Sequence, residues 1–373
     1  MTSTAIRDVP LRIALMIECD GPGGAELMML DLATELRSRG HEVLPVNLAN
    51  GTGWLGERFE AAGFKPTTFA IDSPVDFAAV RALTTILRDF RADVVHSHEF
   101  TMAIYGAAAA RRAGARHVIT MHGGLYYASA WRRRAALRWA SRRSDALVGV
   151  SVATANTLAQ ALNIPREKVV VVPNGIPQRA GVRDRIRREL GIPDDDLLIV
   201  AVGNLYPVKG HAVLIEALSM LADRAGWQLA IAGRGEEEVR LRAQSAAAGL
   251  DARVHILGFR DDIPDILAAG DIFAMPSLSE GLPLALVEAM SFGLPVVVSR
   301  VGGIPEVVTN DVEALLVPPS DARALSNALE RLIDSAATRR RLGDAGRLRA
   351  QRDYAIATMA DRYDSLYRGL LLT

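Results

Sequence analysis

Short apolar runs of four to seven residues recur along almost the whole chain, each followed by a stretch with helical period. LRIALMI (Leu11–Ile17), EVLPV (Glu42–Val46), DVVH (Asp93–His96), HVIT (His117–Thr120), DALVGV (Asp145–Val150) and KVVVV (Lys168–Val172) read as strands. The amphipathic stretches Glu26–Arg39, Val75–Phe90 and Trp131–Arg143 lie between them. This alternation predicts a parallel sheet covered by helices on both faces. A second series starts at LLIVAVG (Leu197–Gly203) and continues through WQLAIAG, RVHILG, DIFAMP, PVVVS and ALLVP. The series break near Pro173–Asp184, where NGIPQRAG has the Pro/Gly content of a linker. After Ser320 the chain turns helical, from Ala322 to about Arg347. Tyr354, Met359, Tyr363, Leu366, Tyr367 and Leu370 then recur at the spacing of a packed terminal helix.

Two series fit a length of 373 residues, which suggests two domains. The formal net charge is zero, so no global field points to nucleic acid or to a membrane. The charge is uneven, however: Arg111 to Arg143 holds nine arginines and no acid. Cys19 is the one cysteine, which excludes an internal disulfide or a cysteine metal cluster and fits a reducing compartment. Leu11–Ile17 is short, carries Arg12 and reads as a first strand rather than a signal peptide. No stretch approaches the roughly 20 apolar residues of a spanning helix. The expected location is the cytoplasm, with any membrane contact made from its inner surface.

The stretch with most chemistry is SLSEGLPLALVEAM (Ser277–Met290). A short buried strand leads into it, Pro283 suits the first helical position, and Phe292-Gly293 ends the helix. Glu280 is then in the loop before the helix and Glu288 about one turn inside it. The free amides near Leu284 and Ala285 favour an anion, and carboxylates beside a bound phosphate can accept from sugar hydroxyls. This describes a nucleotide-sugar pocket. The plainer reading is that both acids complement the helix dipole.

In parallel sheets ligands bind beyond the carboxyl ends of strands. After the first strand, Gly21, Gly23 and Gly24 lead into a helix, but without the spacing of a dinucleotide fingerprint. HSHEF (His96–Phe100) and TMHGG (Thr120–Gly124) put His98, Glu99 and His122 at strand ends, and Gly123-Gly124 leave the His122 ring room and access. No third ligand completes a zinc set there. GNLYPVKGH (Gly203–His211) brings Lys209 near a helix start, a poor place for a cation unless it faces an anion. IAGRGEEE and LGFRDD make two more strand-to-helix turns. Asp194-Asp195-Asp196 precedes a strand, on the wrong side of the sheet for a site, and reads as turn chemistry.

Together these pieces resemble the retaining GT-B glycosyltransferases of family 4 (glycosyl transferases group 1), with their Glu-x7-Glu signature. The matching pieces are GGAE (Gly23–Glu26), DVVHSH (Asp93–His98), TMHG (Thr120–Gly123), VVPNGI (Val171–Ile176), the GNLxxxKG loop, IAGRG, and SEGLPLALVEAM followed by GLPVVVSRVGGIPEVV (Gly293–Val308). The resemblance implies an α/β GT-B fold of two Rossmann-like doubly wound domains facing a central cleft. Residues 1–178 would bind acceptor and 179–352 the nucleotide-sugar, with 353–373 a helix returning to the first domain. It also implies roles. Glu288 would bind the ribose and Glu280 the donor sugar, next to Gly281. The Leu284 and Ala285 amides would hold the diphosphate, with Lys209 neutralising charge beside Gly203 and Asn204. Gly23 and Gly24 would approach the diphosphate or the sugar. Gly233, Arg234, Gly258, Phe259 and Arg260 would line the nucleotide, Arg260 beside the base. His122 would face the donor sugar, while His98, Glu99 and Tyr126 would meet the acceptor. One departure stands out: the family commonly has an arginine five residues before the lysine, and this chain has Asn204, with Arg234 a possible substitute for the charge.

The implied activity is a hexosyl transfer (EC 2.4) from a nucleotide-diphospho-sugar, UDP ahead of GDP, to a glycan, lipid-linked or small-molecule acceptor in polysaccharide or glycolipid synthesis. No metal or other cofactor is expected, because Lys209 and preorganised amides can stabilise the leaving diphosphate. The segment WRRRAALRWASRR (Trp131–Arg143) is either a solvated basic helix or a contact for anionic lipid. Two rival readings share the architecture: a sugar-nucleotide epimerase, and a nucleotide-sugar-binding protein of weak catalysis.

Overall fold

The computed structural model describes residues 9–18, 21–49, 51, 53–123 and 130–372. Cys19, Gly124 and Tyr126 lie outside the described residues. The chain divides into two compact units, Met1–Pro177 with Ile356–Thr373, and Gln178–Ala355.

The first unit holds β1 (Arg12–Ile17), β2 (Glu42–Leu48), β3 (Thr67–Phe69), β4 (Val94–His98), β5 (Arg116–Met121), β6 (Ala146–Gly149) and β7 (Val169–Val171). They pair in the order β3-β2-β1-β4-β5-β6-β7, every pair parallel. The second holds β8 (Leu197–Val202), β9 (Trp227–Ala232), β10 (Val254–Gly258), β11 (Ile272–Met275), β12 (Val296–Ser299) and β13 (Ala314–Val317), in the parallel order β10-β9-β8-β11-β12-β13. The strand order reverses at β1/β4 in one sheet and at β8/β11 in the other, and such a switch opens a crevice at the strand ends. Central strands such as β4 and β12 are buried along their whole length. Burial on both faces lets β12 read as a run of valines, whereas β4 buries the polar His96, Ser97 and His98 by giving each a hydrogen-bond partner.

Three expectations about elements are corrected. The helix expected from Ala322 to about Arg347 is two helices, Ala322–Asp334 and Ala336–Asp353. Ser335 breaks it, its hydroxyl accepting the Thr338 N–H at 3.1 Å as a cap for the second helix. Pro283 is the N-cap of the Leu284–Ser291 helix rather than its first residue, with extended backbone at ψ 117°. The terminal helix begins at Ile356, after the Tyr354 cap of the preceding helix.

That terminal helix belongs to the first unit. Tyr363 and Tyr367 are fully buried in it. The Tyr367 hydroxyl is 2.7 Å from His96 Nδ1, His96 Nε2 is 2.7 Å from Thr120 Oγ1, and Thr120 Oγ1 is 3.0 Å from the Tyr363 hydroxyl. The helix therefore joins β4 and β5 through a closed polar network inside an apolar core. Breaking one member strands its buried partner. Tyr367→Phe is expected to cost about 1–3 kcal/mol of stability, read from urea unfolding; an unchanged midpoint would show that His96 needs no partner.

Candidate active site

In the second unit, the loops after β8, β9, β10 and β11 lie side by side at the carboxyl edge, because these strands are neighbours in a parallel sheet. They carry Gly203, Asn204 and Lys209; Gly233 and Arg234; Gly258, Phe259 and Arg260; and Glu280 and Gly281. The loops interlock through backbone. Leu205 N–H donates to Arg234 O at 2.9 Å, and Leu278 N–H to Val208 O at 2.7 Å.

The second acid loop is held by charge. Lys209 Nζ donates to Glu280 Oε1 at 2.7 Å, and Ser277 Oγ donates to the same oxygen at 2.7 Å. The Glu280 side chain is only 8% exposed, so the pair sits where water screens it weakly. Lys209 is thus paired with a carboxylate while its side chain stays 28% exposed, and its ammonium carries three donors in all. Glu280 also has a backbone support that the sequence reading missed. Gly302, at φ 52°, turns directly beneath it, and a Cβ there would overlap the Glu280 carbonyl oxygen. Only glycine fits such an approach in a left-handed conformation.

Eight residues on, Glu288 faces Arg179, whose Nη1 donates to Glu288 Oε1 at 3.2 Å. Each acid of the motif therefore carries a base from elsewhere in the chain. The Pro283 cap supplies no side-chain acceptor to the first-turn amides, Leu284 and Ala285 included. An anion there would meet unshared N–H groups and the positive helix end.

Two expected nucleotide contacts are otherwise engaged. The Arg260 guanidinium donates to Glu189 Oε2 at 2.8 Å and to Asp262 Oδ1 at 2.8 Å, which tie the β10 loop to the Arg183–Leu190 helix and raise its own pKa. Arg234 lies over the exposed Phe259 ring, 5.6 Å from its centroid, so it shares one surface with Phe259. Asn204 accepts the Tyr206 N–H on its carbonyl at 2.8 Å. Asp196 caps a turn ahead of β8, its N–H donating to Pro193 O at 3.1 Å, so the acidic triplet is turn chemistry.

In the first unit, β4 and β5 end together and bring His98, Glu99 and His122 into contact. His98 Nδ1 is 2.8 Å from His122 Nε2, and the rings stack at 5.1 Å. One face of the His122 ring is therefore turned against His98, while the residue stays half-buried. The His122 N–H donates to Glu99 Oε1 at 3.0 Å. Glu99 itself sits at φ 68°, ψ −177°, a region that is essentially glycine's and costs about 1–3 kcal/mol. Burial, with Glu18 and Glu26 adding repulsion, pushes its pKa up to about 7 despite the His122 hydrogen bond. Gly23 caps the Gly24–Ser38 helix, and the Glu26 carboxylate folds back over it, filling the space a side chain would take. Among the described residues no group of three or more His, Cys, Asp or Glu is arranged to hold a metal ion.

All seven histidines have lowered pKa values, burial being the first cause in each. For His122 burial brings it to about 4 against an opposing Asn174, and for His211, beside Gly203, to about 4 as well. A histidine buried neutral stabilises the fold above its unfolded pKa near 6.5, and that contribution is lost as pH falls toward 4. Glu99 acts in the opposite sense, its protonated form stabilising below 4.5 and losing effect as pH rises through 7. Seven groups outweigh one. The thermal midpoint is expected to fall steadily from pH 6.5 to 4.5, and His211→Gln to flatten that slope; a flat profile in the parent chain would contradict the buried neutral rings.

The sequence profile of Glycosyl transferases group 1 matches residues 182–349, and that of Glycosyltransferase Family 4 matches residues 22–179. UDP-Gal:alpha-D-GlcNAc-diphosphoundecaprenol alpha-1,3-galactosyltransferase of Escherichia coli is 30% identical over 278 residues, 69% of this chain and 71% of that protein. MMP alpha-(1->4)-mannosyltransferase of Mycolicibacterium hassiacum is 31% identical over 331 residues, 82% of this chain and 76% of that protein. In fold, the chain matches the crystal structure of Anabaena Alr3699/HepE in complex with UDP with a TM-score of 0.85 at 24% identity, covering 96% of this chain and 100% of that one. It matches WaaG, a glycosyltransferase involved in lipopolysaccharide biosynthesis, with a TM-score of 0.72 at 18% identity, covering 96% and 100%.

Proposed function

Because the chain belongs to the GT-B glycosyl transferases of group 1 and family 4, and is a glycosyltransferase, we propose that it moves a sugar from a UDP-sugar with retention and without metal. The observation that carries this reading is the Glu280–Lys209 pair at the β8/β11 switch, followed by a helix start without a side-chain cap and by Glu288 about one turn inside that helix. The diphosphate rests on the Leu284 and Ala285 amides and on Lys209. Glu288 accepts from the ribose and Glu280 from the transferred sugar. UDP is favoured over GDP by the donor named for the E. coli relative and by the UDP bound to HepE.

The chemistry is a substitution at the anomeric carbon. The bond from that carbon to the diphosphate oxygen breaks, a bond to the acceptor oxygen forms, and the acceptor proton passes to the departing diphosphate. Charge grows on the diphosphate, where Lys209 and fixed N–H dipoles meet it without reorganisation. A double displacement would need a carboxylate free to attack. Glu280 is instead fixed by Lys209 and Ser277. A same-face reaction suits this arrangement better. His98 and Glu99 serve to orient the acceptor, whose proton goes to the diphosphate rather than to a side chain.

Acceptor and location follow from the first unit. A lipid-linked glycan is favoured by the diphosphoundecaprenol acceptor named for the E. coli relative. The Phe100–Ala113 and Trp131–Arg143 helices border a groove of about 480 Å³ lined by Ala107, Ala108, Arg111, Arg112, Trp139 and Arg143. Trp131 is 68% exposed, and Arg143 lies 4.7 Å over the Trp139 ring. Basic and aromatic side chains on one surface suit the anionic inner face of a membrane, reached from the cytoplasm. No helix among the described residues is long and apolar enough to cross a membrane.

Two measurements test the reading. In a thermal-shift panel of UDP, GDP, ADP and NAD with EDTA, UDP at 100 times its dissociation constant should add about 2.7 kcal/mol. Glu288→Ala should lose that shift; a shift with NAD alone, or with no nucleotide, would overturn the donor assignment. In vesicle sedimentation, the chain should bind phosphatidylglycerol but not phosphatidylcholine, and the triple variant Arg111→Glu, Arg112→Glu, Arg143→Glu should stay in solution. Binding that ignores both lipid charge and added salt would remove the membrane contact.

A further inference from the structure

Arg179 has no place in the motif or in any of the glycine loops, yet its guanidinium reaches Glu288 across 109 residues of sequence. It is not a loosely hanging side chain. Its side chain is 31% exposed, and the backbone just beyond it is clamped to the Ile263–Ala269 helix. Val182 N–H donates to Asp265 Oδ1 at 2.8 Å, and Arg183 Nη2 to Asp271 Oδ1 at 2.7 Å. Gly181 presses so closely on the Pro264 carbonyl that a Cβ would overlap it. A segment that composition marks as a spacer is a fixed mount for one arginine.

A glutamate that accepts from two adjacent hydroxyls must present one oxygen edge in a fixed rotamer, and a free glutamate side chain loses rotamer freedom to do so. Arg179 Nη1 engages Oε1 of that carboxylate at 3.2 Å and so restricts the rotamer in which its oxygens face a ligand. We propose that Arg179 is a positioning residue of the nucleotide pocket, holding the Glu288 carboxylate in the orientation that accepts from the ribose hydroxyls. The proposal rests on the donor reading above and adds to it a residue supplied by the connection between the units. It also assigns the second cation near the motif: Lys209 fixes the sugar-side acid and Arg179 the ribose-side acid, whereas Arg234 lies on the Phe259 surface.

The test compares UDP with 2′,3′-dideoxy-UDP, which keeps base and diphosphate and lacks the hydroxyls, by calorimetric titration on the full chain. The parent should bind UDP more tightly than the dideoxy ligand. Arg179→Met should weaken UDP about ten-fold, the scale of one lost charge-assisted contact, and leave the dideoxy ligand within about two-fold. Arg179→Lys should recover part of the difference. Because each variant is judged by the ratio of two ligands on the same protein, partial unfolding does not imitate the effect. Equal weakening of both ligands would place Arg179 at the diphosphate and overturn the proposal, as would no weakening at all. If the parent binds both ligands equally, the ribose assignment of Glu288 fails and the proposal falls with it. If the parent binds neither, the donor reading itself is overturned.

Discussion

Parallel pairing is the constraint on which the rest depends. When every strand of a sheet runs the same way, all carboxyl ends fall on one edge, and each must be followed by a crossover that returns along a face. Where strand order reverses, at β8/β11, two crossovers leave in opposite directions and their loops part. Lys209 and Glu280 are 71 residues apart in sequence, yet they meet because their strands are neighbours there. The chemistry is thus a property of topology first and of residue choice second. The same reversal at β1/β4 gathers the Glu18, Glu26 and Glu99 carboxylates of the first unit closely enough to repel one another.

What the sequence disclosed, and what it hid, follows from the range of the interactions. Strands buried on both faces leave unbroken apolar runs, so β1, β8 and β12 were legible without coordinates. The motif acids were legible for a different reason: a loop, a proline and a helix start are encoded within a few neighbouring residues. Partners brought from afar leave no such trace. Nothing in the spacing of NGIPQRAG shows that Arg179 meets Glu288, or that Gly302 supports Glu280 from beneath. The pairing of the Arg260 guanidinium with Glu189, also distant in sequence, was equally invisible there. His122 was legible at a strand end, but its stacking on His98 was not, because that depends on the register of β4 against β5.

Charge in these sites is managed mostly in pairs. Glu280, Glu288 and Arg260 each meet an opposite charge. Glu99 differs. It sits in glycine's backbone region, near two other acids, with the His122 N–H among its few compensations. Strain and an unbalanced carboxylate in one residue are a stability cost that the fold carries and offsets elsewhere.

The terminal helix has a further consequence, in time rather than in space. The first unit is interrupted by the whole of Gln178–Ala355 before Tyr363 and Tyr367 arrive to close it. At about 5–20 residues per second, a ribosome needs roughly 10–40 s to make that insertion. Throughout that interval His96 and Thr120 lack their tyrosine partners, and the emerging sheet exposes the apolar surface those rings will cover. The second unit, contiguous in sequence, can fold as it emerges. The order of completion is therefore the reverse of the order of synthesis, and the nascent first unit is the state in which this chain is most exposed to aggregation and most in need of a chaperone.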